Sequence, residues 1–138
     1  EFIKNGDLDF QSLDELPEIN LNKNCFIPEN YLPDINVRLL MYNKVSLAES
    51  SIDLKNIQIE MINRFGLLPE ELKNFFLQAE LRIIAEEYSI KKINFLDSKI
   101  NISFKNKDLD TSFFNDDTLE EKIKMTSDVI KTICANAP

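Results

Sequence analysis

The chain has 138 residues, 43% of them hydrophobic, with a formal net charge of −8, two cysteines and no histidine. That length suits one globular domain, burying roughly 70% of the surface its unfolded chain exposes. The acidic balance excludes a phosphate-backbone binder, which needs clustered Lys and Arg; no apolar run is long enough for a membrane span, and the missing His removes the usual acid/base near neutral pH.

Residues 1–20 are acidic and aperiodic. "EFIKNG" reads as the frayed end of a preceding helix stopped at Gly6, and "DLDFQSLDELPEI" as a linker, so the chain is expected to be a piece of a larger protein. "INLNKNCFIP" alternates in part, through Ile19, Leu21, Cys25 and Ile27, and predicts a short strand ending at Pro28. "PENYLPD" is an extended connection, because proline supplies no donor and restricts the residue before it. Tyr31 and Leu32 are expected to plug it onto the core.

Asp34 is a good N-cap for a first helix, whose apolar stripe is read as Ile35, Leu39, Tyr42 and Val45. Ser50 and Ser51 offer the next cap, with Leu54, Ile57, Met61 and Phe65 as the buried stripe of a second helix. Gly66 ends it, in the left-handed conformation that suits a C-terminal glycine. Pro69 fits the first turn of a third helix, with Glu70 and Glu71 complementing its dipole. Its stripe is Leu72, Phe76, Ala79 and Ile83, with Phe75 beside it, and it runs to about Tyr88.

The period then changes. Ile93 and Phe95, followed by Ile100, Ile102 and Phe104, alternate about a turn at Asp97–Ser98 and predict a hairpin. "NKDLDTSFFNDD" reads as a loop holding Phe113 and Phe114. Thr118 and Glu121 have capping-box spacing, and Leu119, Ile123, Ile130 and Ile133 mark a last amphipathic helix. The order is strand, three helices, hairpin, helix: an α+β domain with helices packed on a small antiparallel sheet.

Chemistry-bearing constellations are scarce. Two distant glycines without a Gly-Lys-Ser/Thr run make no phosphate loop, and Cys25 has no His base. Cys25 and Cys134 are expected as buried free thiols in a reducing cytoplasm. Asp116, Asp117, Glu120 and Glu121 read as a solvated helix start. A carboxylate-dependent hydrolase using Asp116, Asp117 or Glu120 is the enzyme alternative. Lys91–Lys92 and Lys105–Lys107 read as edge-strand lysines that discourage aggregation. One corner stands out. In "EMINRFGLLPEE", Glu60, Asn63 and Arg64 are three and four apart and share a helix face opposite Met61 and Phe65. This is either an intrahelical Glu60–Arg64 pair, worth a few tenths of a kcal/mol, or a recognition patch.

"CFIPENYLPDINVRLLMYNKV" followed by "EMINRFGLLPEELKNFFLQAELRIIA" resembles the C-terminal domain of the bacterial transcription-repair coupling factors. The residues carrying the likeness are Ile27, Pro28, Tyr31, Pro33, Asp34, Arg38, Leu39, Tyr42, Glu60, Arg64, Phe65, Gly66 and Pro69, at unbroken spacing over about residues 20–105. The last helix fits only in kind. The resemblance implies that residues 1–20 are the connection from a motor region and 21–138 a regulatory domain. It implies a cytoplasmic parent protein, an ATP-driven DNA translocase that recognises stalled RNA polymerase and recruits nucleotide excision repair through UvrA.

In such proteins the C-terminal domain packs over a UvrB-like module of the same chain and masks its UvrA-binding surface. It is then autoinhibitory, non-catalytic and without direct nucleic-acid or membrane contact. It carries no cofactor; ATP and Mg belong to the parent motor. The resemblance further implies that acidic residues of the corner face arginines of the masked module. Glu60 matches the first of them; the second, Asp in the family, is Asn63 here, which can hydrogen-bond but cannot make a charge-assisted contact. Glu60, Asn63 and Arg64 are therefore the expected interdomain contact. A standalone acidic adaptor for a basic protein is the alternative binding module.

Overall fold

The computed structural model describes residues 16–96, 99–104, 108–112 and 118–136; for 108–112 and 133–136 it describes the backbone. The elements in chain order are β1 (Glu18–Asn20), α1 (Ile35–Leu47), α2 (Ser51–Phe65), α3 (Glu70–Glu87), β2 (Ile90–Phe95), β3 (Lys99–Phe104), β4 (Asp108–Ser112) and α4 (Leu119–Asn136). The α+β class and the order of helices agree with the sequence reading. Four details of the sheet differ from it.

The sheet runs β1-β2-β3-β4, so it has a fourth strand in the stretch read as a loop. Five residues of β4 pair antiparallel with β3, Leu109 opposite Ile102 and Thr111 opposite Ile100. A segment that short, with aspartates at alternate positions, carries too little apolar signal to be read alone. β1 pairs parallel with β2, with Ile19 opposite Ile93, so the sheet is mixed rather than wholly antiparallel. The strand expected from Ile19 to Ile27 stops at Asn20. Nor is β2 an edge strand: it lies between β1 and β3, so Lys91 and Lys92 do not guard an edge, and Lys92 pairs with Glu18 at 3.7 Å. Lys105, Lys107, the Asp97–Ser98 turn, Phe113 and Phe114 lie outside the described residues.

Beyond β1 the chain lies along α3, stitched to it by a row of polar contacts at helical spacing. Gln78 Nε2 donates to Ile19 O at 3.1 Å, Asn74 Nδ2 donates to Asn24 O at 3.1 Å, and Phe26 N donates to Glu71 O at 3.2 Å. Backbone groups that leave a sheet need partners when buried, and here two side chains and one backbone carbonyl of α3 supply them. Leu21, Ile27 and Leu32 are thereby pressed into the core, each 3% exposed.

Helix α3 is buried on two sides, which explains the architecture. Leu72, Phe76 and Ala79 join Met41, Val45, Leu54 and Met61 in a helical layer. Leu81 and Ala85 join Ile90, Ile93, Phe95, Ile100, Ile102, Ile123 and Ile130 in a sheet layer that α4 closes. Ile83, expected in the stripe, is half-buried and packs against the helical layer. Pro69 is the N-cap of α3, one position ahead of the expected first turn. The capping box before α4 is formed: Glu121 N donates to Thr118 Oγ1 at 3.2 Å, and Thr118 N donates to Glu121 Oε1 at 2.9 Å.

Helix α1 departs most from its expected stripe. Asp34 caps it, accepting from Asn36 N and Val37 N. Yet Ile35 and Leu39 are 58% and 59% exposed, and the buried positions are Met41 and Val45, with Val37 packed beside them. The helix is apolar nearly all round, so periodicity could not choose its inner face. Tertiary bonds choose it. Tyr42 OH accepts from Ile27 N at 2.8 Å, and Arg82 of α3 reaches Val45 O and Ala48 O at 3.3 and 3.2 Å.

Candidate functional site

The corner after α2 is held by the extended connection that precedes α1. Tyr31 OH donates to Gly66 O at 2.7 Å, with Met61 O at 3.2 Å also in reach. Gly66 is the C-cap residue of α2, so the phenol ties the chain leaving the helix back to the connection before α1. Its ring meets Phe65 edge-on at 6.1 Å. Arg38 fixes the same connection from α1, its guanidinium donating to Leu32 O at 2.9 Å and Pro33 O at 3.1 Å. Tyr31, Arg38, Tyr42 and Phe65, which carry part of the family likeness, thus hold the corner in shape.

Gly66 closes α2, its N–H donating to Ile62 O at 3.0 Å. Its φ is +102° but its ψ is −175°. The positive φ agrees with the expected glycine; the ψ is extended rather than left-handed helical. An L side chain is strained there whatever space surrounds it.

Three expected residues lie at this corner. Glu60 accepts from Arg64 at 3.0 Å, the i,i+4 pair, and from Lys44 of α1 at 3.0 and 3.1 Å. Lys44 escaped the sequence reading because it is sixteen residues away in the chain; no spacing rule relates cations and carboxylates across a helix pair. Side-chain exposures of 39% for Lys44, 33% for Glu60 and 46% for Arg64 place the trio at the surface. Hydrogen bonds from Lys44, then Arg64, hold the Glu60 carboxyl below its ordinary value. It stays ionised at neutral pH and is therefore no proton donor there. The Arg64 guanidinium also lies 4.8 Å over the Phe65 ring. Asn63 is exposed.

The two helices that carry the trio, and the chain past the corner, also present apolar side chains to solvent. On α1 they are Leu40 (49%) and Leu47 (70%), on α2 Ile52 (71%) and Ile59 (49%), and past the corner Leu67 (85%). Leu40, Lys44 and Leu47 are spaced four and three apart and share one stripe of α1. The arrangement can recognise a surface with charge, an amide and apolar area.

Other expected sites give less. Among the described residues no group of three or more His, Cys, Asp or Glu is placed to hold a metal. Asp116 and Asp117 lie outside the described residues. Glu120 borders a groove of about 420 Å³ whose walls include Ile62, Leu67, Phe76 and Leu77. Cys25 is a free, half-buried thiol pushed above its ordinary value by burial. The Cys134 side chain lies outside the described residues. No helix among them is long and apolar enough to cross a membrane.

Residues 21–113 match the family model of the TRCF domain. Among curated relatives, the chain is 38% identical over 87 residues to a transcription-repair-coupling factor of Haemophilus influenzae, covering 60% of this chain and 8% of that one. It is 33% identical over 93 residues to the protein of that name from Borreliella burgdorferi, covering 67% and 8%. With its Escherichia coli counterpart the identity is 34% over 76 residues, covering 55% and 7%. The chain thus spans less than a tenth of these relatives' length. A crystal structure of the C-terminal domain of a transcription-repair coupling factor superposes with a TM-score of 0.61 at 21% identity, over 64% of this chain and 55% of that one.

Proposed function

The chain belongs to the TRCF domain family, and from that membership we propose that it is an autoinhibitory protein-protein interaction domain of a transcription-repair coupling factor. In this reading it docks on a UvrB-like module of the same polypeptide and covers the UvrA-binding surface. It lifts when the ATP-driven translocase engages stalled RNA polymerase. RNA polymerase, DNA, ATP and Mg are handled by other parts of the parent protein; this domain contributes a lid, and its contact is the corner of Glu60, Asn63 and Arg64.

The observation that supports the reading is the uncovered apolar side chains of α1 and α2 beside a rigid charged corner, notably Leu47 at 70% and Ile59 at 49% exposure. Exposed apolar groups clustered with polar ones mark interaction surfaces. The experiment places Leu47→Asp with Ile59→Asp in the parent protein and measures UvrA affinity. Both side chains are exposed, so the domain's stability should change by no more than about 0.5 kcal/mol per site. Tighter UvrA binding is expected. Unchanged UvrA affinity with the domain still folded would sink the lid.

A further inference from the structure

We propose that the groove on the far side of α2 from Glu60 is the socket of the docking contact, and that it takes an aromatic side chain projecting from the masked module; the inference rests on the docking reading above and names what the docked surface inserts.

The groove, of about 420 Å³, lies between α2 and α3 and is bordered by Glu120 of α4. Phe76, 3% exposed, supplies its floor, and Ile62 and Leu77 its walls. Ile62 is two residues past Glu60, hence about 200° round the helix from it. The groove is nevertheless continuous with the docking face. Ile59, which that face includes, is three residues from Ile62 and four from Asn63, so the three are neighbours on the surface of α2. A surface lying over Ile59 therefore reaches the mouth of the groove. There Ile62 is 37% and Leu67 85% exposed.

The chemistry of the groove selects the occupant. Lys73 and Glu120 stand on its rim, and neither side chain is paired among the described residues. Their opposite signs give no preference for a charged occupant, and a charge pressed against Phe76, Ile62 and Leu77 would lose its water. An aliphatic side chain would gain buried area alone. An aromatic one gains more: an edge or offset contact with the Phe76 ring, and the Lys73 ammonium over its face. A phenol or indole also brings a donor that Glu120 can accept. Deep apolar sockets with a polar rim are where aromatic anchors dominate an interface.

Two measurements test it. In the isolated chain, N-acetyltyrosinamide or N-acetyl-leucinamide is titrated while the methyl signals of Ile62, Leu67 and Leu77 are followed by NMR. The aromatic probe should move all three upfield, and the aliphatic one should not. Equal responses, or none to either probe, overturn the aromatic occupant. In the full-length parent protein, hydroxyl-radical labelling of Leu47, Ile59, Leu67 and Leu77 is compared with that of the isolated chain. All four should be protected. Ile62→Trp, which fills the groove, and Leu67→Asp, at a position too exposed to matter to the fold, should each weaken docking about tenfold or more and raise Leu47 labelling. Protection of Leu47 and Ile59 without Leu67 and Leu77 overturns the socket and leaves the docking reading intact. Protection of Leu67 that grows with the concentration of the isolated chain assigns the groove to a second copy and overturns the inference. Equal labelling of all four in parent and isolated chain overturns the docking reading itself.

Discussion

The two layers that share α3 meet solvent differently. On the sheet side, alternation separates the faces: Ile93, Phe95, Ile100 and Ile102 are buried, while Asn94, Asn101 and Ser103 alternate with them on the outer face. Among the described residues of β2, β3 and α4 the one large apolar side chain left exposed is Met125 (36%), with Leu96 (49%) just past β2. On the helical side, Ile35, Leu39, Leu40 and Leu47 of α1 and Ile52, Ile59 and Ile62 of α2 are all exposed. A sheet face can be made polar residue by residue. A helix that is apolar nearly all round buries one stripe and leaves the rest to be covered by something else. The sheet layer is thus finished as a surface, and the helical layer is built to be met.

The comparison breaks most readily at α3. Leu72 faces the helical layer and Leu81 the sheet layer, and both are 0% exposed. Either Leu→Ala change should cost about 2–5 kcal/mol. If the layers form one cooperative unit, both variants lower a single transition, seen equally in urea by near-ultraviolet tyrosine signal and by far-ultraviolet ellipticity. Two separated transitions in Leu72→Ala alone would make the helical layer an independent unit.

The corner gives a smaller effect. Gly66→Ala introduces a Cβ with nothing within 4 Å, so any loss comes from backbone at φ +102°. A cost of about 1–3 kcal/mol is expected in urea unfolding of the isolated chain. Wild-type stability in that variant would mean that the corner relaxes, and that Tyr31 does not hold it in one shape.

The smallest effect concerns the ion trio. Glu60 titrates below its ordinary value of 4.5 in the fold because Lys44 and Arg64 hydrogen-bond its charged form. Its contribution is therefore full above that ordinary value and is lost as pH falls through the lowered folded value. Being exposed, the pairs should be worth at most about 1 kcal/mol together. Glu60→Gln should destabilise the isolated chain by that much at pH 7 and by nothing near pH 2. A constant difference between wild type and variant across this range would mean that Lys44 and Arg64 do not pair with Glu60 in solution.

Local chemistry made much of the fold legible. Asp34, Ser50 and the Thr118–Glu121 pair announced helix starts because a cap is made within a few residues. Leu54, Met61, Leu72 and Phe76 were found because α2 and α3 repeat at helical spacing along the faces they turn to the helical layer. The corner residues were legible for the same reason, since Glu60 and Arg64 meet within one helix. β4 and the parallel partner of β2 were not, because short strands take their identity from the strands they join.

The sequence by itself determined where the helices begin, that Gly66 must turn the chain, and that the domain is acidic and without histidine. The first two follow from one residue or from a few adjacent ones, and the last from composition alone. Only the tertiary structure decided which side of α1 is inside, that Asn74 and Gln78 stitch the connection to α3, and that Lys44 completes the trio at Glu60. The reason is physical: each of these contacts joins side chains and backbone groups on different elements, brought within about 3 Å only after the layers have packed around α3.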